Sequence, residues 1–202
     1  IKTKILFTSS GAVYGNENKI KKITEQDKTN LKKILRLDKS KRGYAKTKIK
    51  IEKIFKSLGK KKYNVSIARM FTFIGKRILN NKNYAISDFV YSAIHKKEII
   101  VNSSHSVYRS YMHSDDMVNW LIRILISSSP KCPVYNVGSD RAITIKNLAK
   151  LVGKIFKKPV ILKQNKNKKI DSYVPSIKKG KKNLGLRINY SLTNLLKSIY
   201  IK

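Results

Sequence analysis

The stretch Lys4-Ile-Leu-Phe-Thr-Ser-Ser-Gly-Ala-Val-Tyr-Gly15 decides the fold. Its first half, Lys4–Ser9 (KILFTS), is a short apolar run ending in small hydroxyl residues. That pattern suits a buried strand of a parallel sheet, whose C-terminal edge carries chemistry. About thirty residues on, apolar residues at Ile49, Ile51, Ile54, Phe55 and Leu58 recur at helical spacing between Gly43 and Leu58. Gly59 reads as the stop of that helix. Tyr63–Met70 (YNVSIARM) reads as a second buried strand and closes the unit.

Working outward, the same alternation continues. Glu25–Arg42 is polar and reads as a loop with a short helical piece, and Lys76–Tyr84 as irregular. Helices are expected over Ile86–His95, over Asp115–Ile126 and from Thr144, as cap, to Phe156. Asp115 or Ser114 is the expected N-cap of the second, with Trp120, Leu121, Ile124 and Leu125 facing inward. Strands are expected at Glu98–Val101, Val134–Val137 and Val160–Lys163. Pro130 and Pro133 mark the turn before the middle one, and a last helix starts at Ser191. Strands alternating with helices make the chain α/β.

The composition bounds the partners. With 46 Lys+Arg against 11 Asp+Glu the net charge is +35, which raises nucleic acid and anionic membranes as candidates. Yet 38 of those cations are Lys and 8 are Arg, spread along the chain, whereas bidentate recognition of phosphate or guanine favours Arg. The reading is a solvated surface with no specific nucleic-acid partner and no membrane partner. The lone Cys132 fits a reducing cytoplasm. Three His and no Cys/His pair at ligand spacing point to no metal.

Tyr44-Ala-Lys-Thr-Lys48 carries the chemistry. Its i, i+4 spacing puts phenol and ammonium on one helix face. A phenol with a pKa near 10 is a poor base at neutral pH, but a nearby ammonium favours the phenolate. Such a Tyr can exchange a proton with a sugar hydroxyl. A hydroxyl at the end of the upstream strand can hold the reacting oxygen near it.

Taken together, these pieces resemble the extended short-chain dehydrogenase/reductases of the NAD-dependent epimerase/dehydratase family. SSGAVYG is similar to the family's Ser-Ser-x-x-Val-Tyr-Gly, and GYAKTK to its Tyr-x-x-x-Lys. IARMFTFIGK resembles the Arg-x-Phe-Asn-x-Tyr-Gly-Pro stretch, RSYMHSDDM the Arg-Asp-Phe-Ile-His-Val-Asp-Asp stretch, and VYNVGS the Tyr-Asn-Val-Gly segment. The tail, YVPS followed by NLGL, follows the usual ending.

The resemblance implies the C-terminal part of a Rossmann-type doubly wound parallel sheet plus a smaller α/β substrate-binding domain. Residues 1–75 would be the remaining half of the NAD(P)-binding domain. Residues 76–202 would bind the nucleotide sugar, with segments returning to the sheet. It implies Tyr44 as acid/base, Lys48 as partner of the nicotinamide ribose and of Tyr44, and Ser10 as the hydroxyl that positions substrate. Tyr44, Lys48, Met70, Phe71 and Thr72 would touch NAD or NADP. Ser10, Thr72 and Arg109 would touch a nucleoside-diphosphate sugar, with Arg109 on the diphosphate. His113 and Asp115–Asp116 read as cap and packing groups. The complete enzyme would be a homodimer serving surface polysaccharide synthesis.

Several positions depart from the family pattern. Thr72 stands where a substrate-contacting Asn is frequent, Lys76 where Pro follows Gly, and Ser103–Val107 in place of a Gly-Asp-Gly turn. Gly11 and Ala12 follow Ser10 where the 4,6-dehydratases carry Asp-Glu, which leans towards epimerase or decarboxylase. Nothing matches the glycine-rich GxxGxxG turn that seats the pyrophosphate. The expectation is a chain lacking its first half, on the order of 100 residues at about 30 per βαβ unit. A sugar-nucleotide-binding pseudoenzyme stays open beside the enzyme, as does a basic nucleic-acid binder, for which charge is the sole argument.

Overall fold

The computed structural model describes residues 3–35, 37, 39–75, 84–103, 105–163 and 168–200. In chain order these form β1 (Lys4–Ser10), a 3₁₀ turn (Gly11–Tyr14), α1 (Leu31–Leu35), α2 (Lys39–Lys60), β2 (Asn64–Met70), β3 (Phe73–Ile74) and α3 (Ala85–His95). Next come β4 (Ile99–Val101), β5 (Ser106–Arg109), β6 (Met112–His113), α4 (Ser114–Ile126), β7 (Val134–Val137) and β8 (Ile143–Thr144). The last part holds α5 (Ile145–Phe156), β9 (Val160–Leu162), β10 (Ile170–Tyr173), α6 (Lys178–Leu184) and α7 (Leu192–Tyr200).

The sequence NVSIARM explains the centre. Val65, Ser66, Ile67, Ala68 and Arg69 of β2 are all buried, as in a strand covered on both faces. β1 pairs with it in parallel from Lys4↔Asn64 to Ser10↔Met70, and β7 pairs on the other side from Ile67↔Val134 to Met70↔Val137. Helices close both faces. Phe55 and Leu58 of α2 pack with Val65 and Ile67, while Trp120 and Ile124 of α4 pack with Ala68 and Val137. β10, β5 and β8 make a second sheet, parallel between β10 and β5 and antiparallel between β5 and β8. Two-stranded parallel pairs β3–β6 and β4–β9 complete the strands. A second core, including Phe89, Ile99, Leu148 and Val152, lies between α3, α5 and β4.

Most expected elements appear, and the differences have physical causes. The N-terminal half of β1 is exposed rather than buried: among the described residues it pairs with β2 alone and is a sheet edge, with Ile5 at the surface. α2 begins at Lys39, so Tyr44 sits in its second turn, and Ile54 faces solvent. Its fully buried positions, Ala45, Glu52 and Gly59, recur at seven-residue steps along one seam. Gly59 therefore does not stop the helix. A Cβ there would lie 2.7 Å from the Pro130 carbonyl, so glycine is what lets α2 meet that turn. His113, not Ser114 or Asp115, caps α4, its Nδ1 accepting from the Asp115 N–H at 3.0 Å. Asp116 is buried and accepts from the main-chain N–H groups of Asn189 and Tyr190, tying the tail to α4. Thr144 caps α5 as expected, accepting from Asn147 at 3.1 Å. The irregular stretch expected over Lys76–Tyr84 falls, up to residue 83, outside the described residues. The structure adds the short strands β3, β5, β6, β8 and β10 and the helix α6, which are too short to carry a periodic signal of their own.

In the loop after the 3₁₀ turn, Asp27 accepts from the Thr24 N–H at 2.7 Å and hydroxyl at 2.8 Å, and it pairs with Lys21. Burial works to raise this carboxyl, but those donors outweigh it and hold it at about 2. A depressed carboxyl stabilises the fold above its ordinary value near 4 and loses that contribution as pH falls towards about 2. Asp27→Asn should therefore lower the urea midpoint at neutral pH and flatten its decline between pH 4 and 2. An unchanged acid limb would show that Asp27 contributes nothing.

Candidate active site

Three parallel strands end together, and their C-terminal edge gathers Ser10, Lys48 and Met70 among the residues singled out from sequence. Ser9 and Ser10 close β1, Met70 closes β2, and Val137 closes β7. Ser10 also caps the 3₁₀ turn, its Oγ accepting from the Ala12 N–H at 3.1 Å. Tyr44 projects from α2 half exposed, so its phenol is accessible. One turn on, the Lys48 ammonium lies 5.5 Å from the Tyr44 ring centre and donates to the Thr8 carbonyl at 2.8 Å. The i, i+4 pair thus shares one helix face beside the end of β1.

Beneath this edge runs a buried chain of hydrogen bonds. Glu52, one turn beyond Lys48, accepts from Ser9 Oγ at 2.7 Å and from the Arg69 guanidinium at 2.9 and 2.7 Å. Arg69 also donates to Tyr14 Oη at 2.6 Å, and Tyr14 donates to Asn136 Oδ1 at 2.9 Å. Asn136 in turn donates to the Ile23 carbonyl at 2.9 Å. The network links α2, all three strands and the 3₁₀ turn. Burial alone would press Arg69 towards neutrality, but Glu52 and Tyr14 outweigh it and keep the guanidinium charged. Burial raises Tyr14 to about 12 against the pull of Arg69, so it stays a neutral phenol.

The remaining expected residues divide. Thr72 is half-buried after β2, and its carbonyl accepts from Met112 at 3.2 Å. Phe71 is in the core, with Tyr14 on one side and Tyr173 on the other, ring centres 4.6 Å apart for the latter. What Phe71 can offer a ligand is therefore main chain alone. Arg109 ends β5 and is already engaged. Its Nη2 donates to Asp171 Oδ2 at 2.8 Å and its Nη1 to Asp171 Oδ1 at 3.2 Å and to the Tyr108 carbonyl at 2.8 Å. A cavity of about 520 Å³ opens nearby, lined by Phe89, Val101, Asn102, Ser103 and Ile145 among others. Ile145 lies two residues past Ile143, the cross-strand partner of Arg109.

Four residues that sequence reasoning missed belong to this region: Glu52, Asn16, Asp171 and Tyr173. Tyr173 faces Ser10. A Cβ on Gly11 would meet its hydroxyl at 2.5 Å, so glycine is required for that approach. Burial raises the Tyr173 phenol above its ordinary range; the Ser10 hydroxyl draws it down and Tyr44 pushes it up. Glu52 was legible as the next step of the Tyr44, Lys48 register. Asp171 and Tyr173 had no signal beyond a short tail motif. Among the described residues no group of three or more His, Cys, Asp and Glu could hold a metal ion, and no helix is long and apolar enough to cross a membrane.

Known proteins carry this fold. The fold matches the UDP-glucose 4-epimerase of Thermotoga maritima with a TM-score of 0.77 at 20% identity, over 96% of this chain and 61% of that one. The dTDP-glucose 4,6-dehydratase of Bacillus anthracis matches with a TM-score of 0.76 at 16% identity, over 97% and 60%. In sequence, the chain is 29% identical over 123 residues to UDP-glucuronic acid decarboxylase 6 of Arabidopsis thaliana, covering 60% of this chain and 35% of that protein. It is 32% identical over 88 residues to UDP-glucuronic acid decarboxylase 1 of Danio rerio, covering 44% and 21%. The chain thus spans about a third or less of the length of these curated relatives. Residues 1–138 match the sequence profile of one family, and the chain belongs to it: the NAD dependent epimerase/dehydratase family.

Proposed function

We propose that this chain supplies the catalytic Tyr and Lys and the nucleotide-sugar site of an enzyme that oxidises a sugar hydroxyl transiently on a nucleoside-diphosphate sugar. The observation that carries the reading is the Tyr44–Lys48 pair on one face of α2, with Lys48 bonded to the Thr8 carbonyl two residues before Ser10, near the C-terminal edge of a parallel sheet. Residues 1–75 hold the catalytic groups in this reading, and residues 76–202 the sugar nucleotide. The relatives' names and neighbours bound to UDP-glucose, UDP-glucuronic acid, NAD or NADPH support it.

The donor set fits a nicotinamide cofactor, NAD or NADP. An accessible phenol and an ammonium lie together at a strand edge, where two ribose hydroxyls need partners. Tyr44, Lys48 and the main chain around Met70–Thr72 would hold it, and bound there it accepts and returns a hydride. Tyr44 takes the proton of the sugar hydroxyl as the C–H bond breaks, which leaves a ketone. Lys48 holds its positive charge 5.5 Å from the Tyr44 ring centre, on the side where the proton is taken. Ser10 orients the reacting oxygen, and the neutral Tyr173 beside it is placed to donate a second hydrogen bond. Arg109 takes the diphosphate, and the 520 Å³ cavity takes the nucleoside. The ketone then permits inversion, elimination or decarboxylation, and the names of the curated relatives favour decarboxylation of a uronic acid.

The test is incubation of the full-length protein with NAD and a panel of UDP- and dTDP-hexoses and UDP-glucuronate, followed by NMR of the sugar. Conversion of at least one, with no net consumption of NAD when reduction back completes the cycle, is the expected result. A full-length protein that binds sugar nucleotides but converts none would establish the pseudoenzyme instead. A role in surface polysaccharide synthesis and a homodimeric assembly are part of the same proposal, and the oligomer is read by analytical ultracentrifugation.

A further inference from the structure

Arg109 presents its planar fork to a carboxylate in the geometry a phosphate would use. Both Nη atoms donate to Asp171, at 2.8 and 3.2 Å, and the Nη1 atom also reaches the Asp171 carbonyl at 3.1 Å. The pair is mostly buried, at 22% and 20% side-chain exposure, so solvent screens it weakly. Asp171 is held from behind as well, since Asn16 Nδ2 donates to its Oδ1 at 2.8 Å. Asn16 directly follows the SSGAVYG segment, and Glu17 exchanges main-chain hydrogen bonds with Ser172 at 2.9 and 2.8 Å. β10 is therefore pinned on one side to the strand of Arg109 and on the other to the segment that carries Ser10.

From this geometry we infer that Asp171 is a resident stand-in for the ligand's diphosphate, which must displace it to reach Arg109, and that it thereby limits the affinity of the site for anions. The inference rests on the assignment of Arg109 to the diphosphate made above. Carboxylate and phosphate both take two parallel N–H bonds from one guanidinium, so they compete for the same donors. A ligand that binds one of two states has its affinity reduced by the fraction of time that state is available. If Arg109 is paired with Asp171 about nine-tenths of the time, the apparent dissociation constant rises about tenfold. The stand-in also serves selectivity. Monoanions gain little by exchanging with a carboxylate of equal charge, whereas a diphosphate brings at least one more charge and further acceptors.

The experiment is calorimetric titration of the full-length protein with inorganic pyrophosphate and with UDP, comparing wild type, Asp171→Asn, Asn16→Ala and each in an Arg109→Ala background. Asp171→Asn keeps the shape and removes the charge, and should bind both probes several-fold to about tenfold tighter. Asn16→Ala, which frees the carboxylate without removing it, should shift affinity the same way by less, and it carries the test if the Asn variant misfolds. Neither substitution should matter once Arg109 is Ala, an outcome that a general effect on β10 packing would not give. If wild type binds UDP and Asp171→Asn binds it equally or more weakly, Asp171 orients Arg109 for the ligand and the inference fails alone. If neither protein binds either probe, the diphosphate assignment of Arg109 fails and takes the inference with it.

Discussion

Replacing Tyr44 with Phe in the full-length protein is expected to lower turnover by about 10²–10⁴-fold while leaving the fold nearly unchanged and weakening cofactor binding far less, by about one hydrogen bond. The substitution removes one oxygen from a half-exposed ring, so no core contact is lost. What is lost is the group asked to take the sugar hydroxyl's proton. Single-turnover kinetics with equilibrium binding of NAD separates the two effects. A variant that keeps more than about a tenth of wild-type turnover would remove Tyr44 from the chemistry. Lys48→Met should act differently: it loses its bond to the Thr8 carbonyl as well as its charge beside Tyr44, so binding and turnover should fall together.

The second large effect is on stability. Glu52→Gln leaves the Arg69 guanidinium buried without its counter-charge, at 5% side-chain exposure, and breaking such a pair costs about 3–5 kcal/mol. That is a large share of a domain's total stability, commonly about 5–15 kcal/mol, so the soluble yield should drop sharply. Removing both charges, as in Glu52→Leu with Arg69→Met, should recover most of the loss, because two well-packed apolar side chains need no partner. Ser9 and Tyr14 would each lose one hydrogen bond, at about 1 kcal/mol apiece, so recovery should be incomplete. Urea unfolding of the single and double variants measures both. A Glu52→Gln protein within about 1 kcal/mol of wild type would mean that the buried pair is not what locks α2 to the sheet.

Legibility in the sequence followed the length of the pattern. β2 could be read because five consecutive residues are buried, and α5 because a capping Thr precedes a strong apolar periodicity. The short strands could not. β5 and β10 have four residues each and lie about sixty apart, and each is defined by the other rather than by its own alternation. α6 hides in KKGKKNL, where buried Gly180 and half-buried Leu184 make the packing and five polar or charged residues leave no periodic signal. Of the proposed site, Tyr44, Lys48, Ser10 and Arg109 are legible as motif members. The partners that hold them are not. Glu52 looks like one more surface charge until the helix register places it on the buried seam with Ala45 and Gly59, and Asp171 meets Arg109 only because two distant strands pair.

The edge formed by β1 has a consequence for how this polypeptide behaves in solution. A strand with one paired side offers its other side as a template, and parallel sheets are seldom left open there. Beside it, Val118, Ile122 and Ile126 lie exposed at four-residue steps along α4, giving any added strand an apolar helix to rest on. Long-range repulsion between polypeptides carrying this +35 opposes pairing through that template. The repulsion reaches about 30 Å at 0.01 M ionic strength and about 8 Å at 0.15 M. Colloidal stability and sheet completion are therefore set against each other. Salt that leaves the fold untouched moves the balance towards edge-to-edge association, and a β-strand supplied by another segment removes the need for the charge.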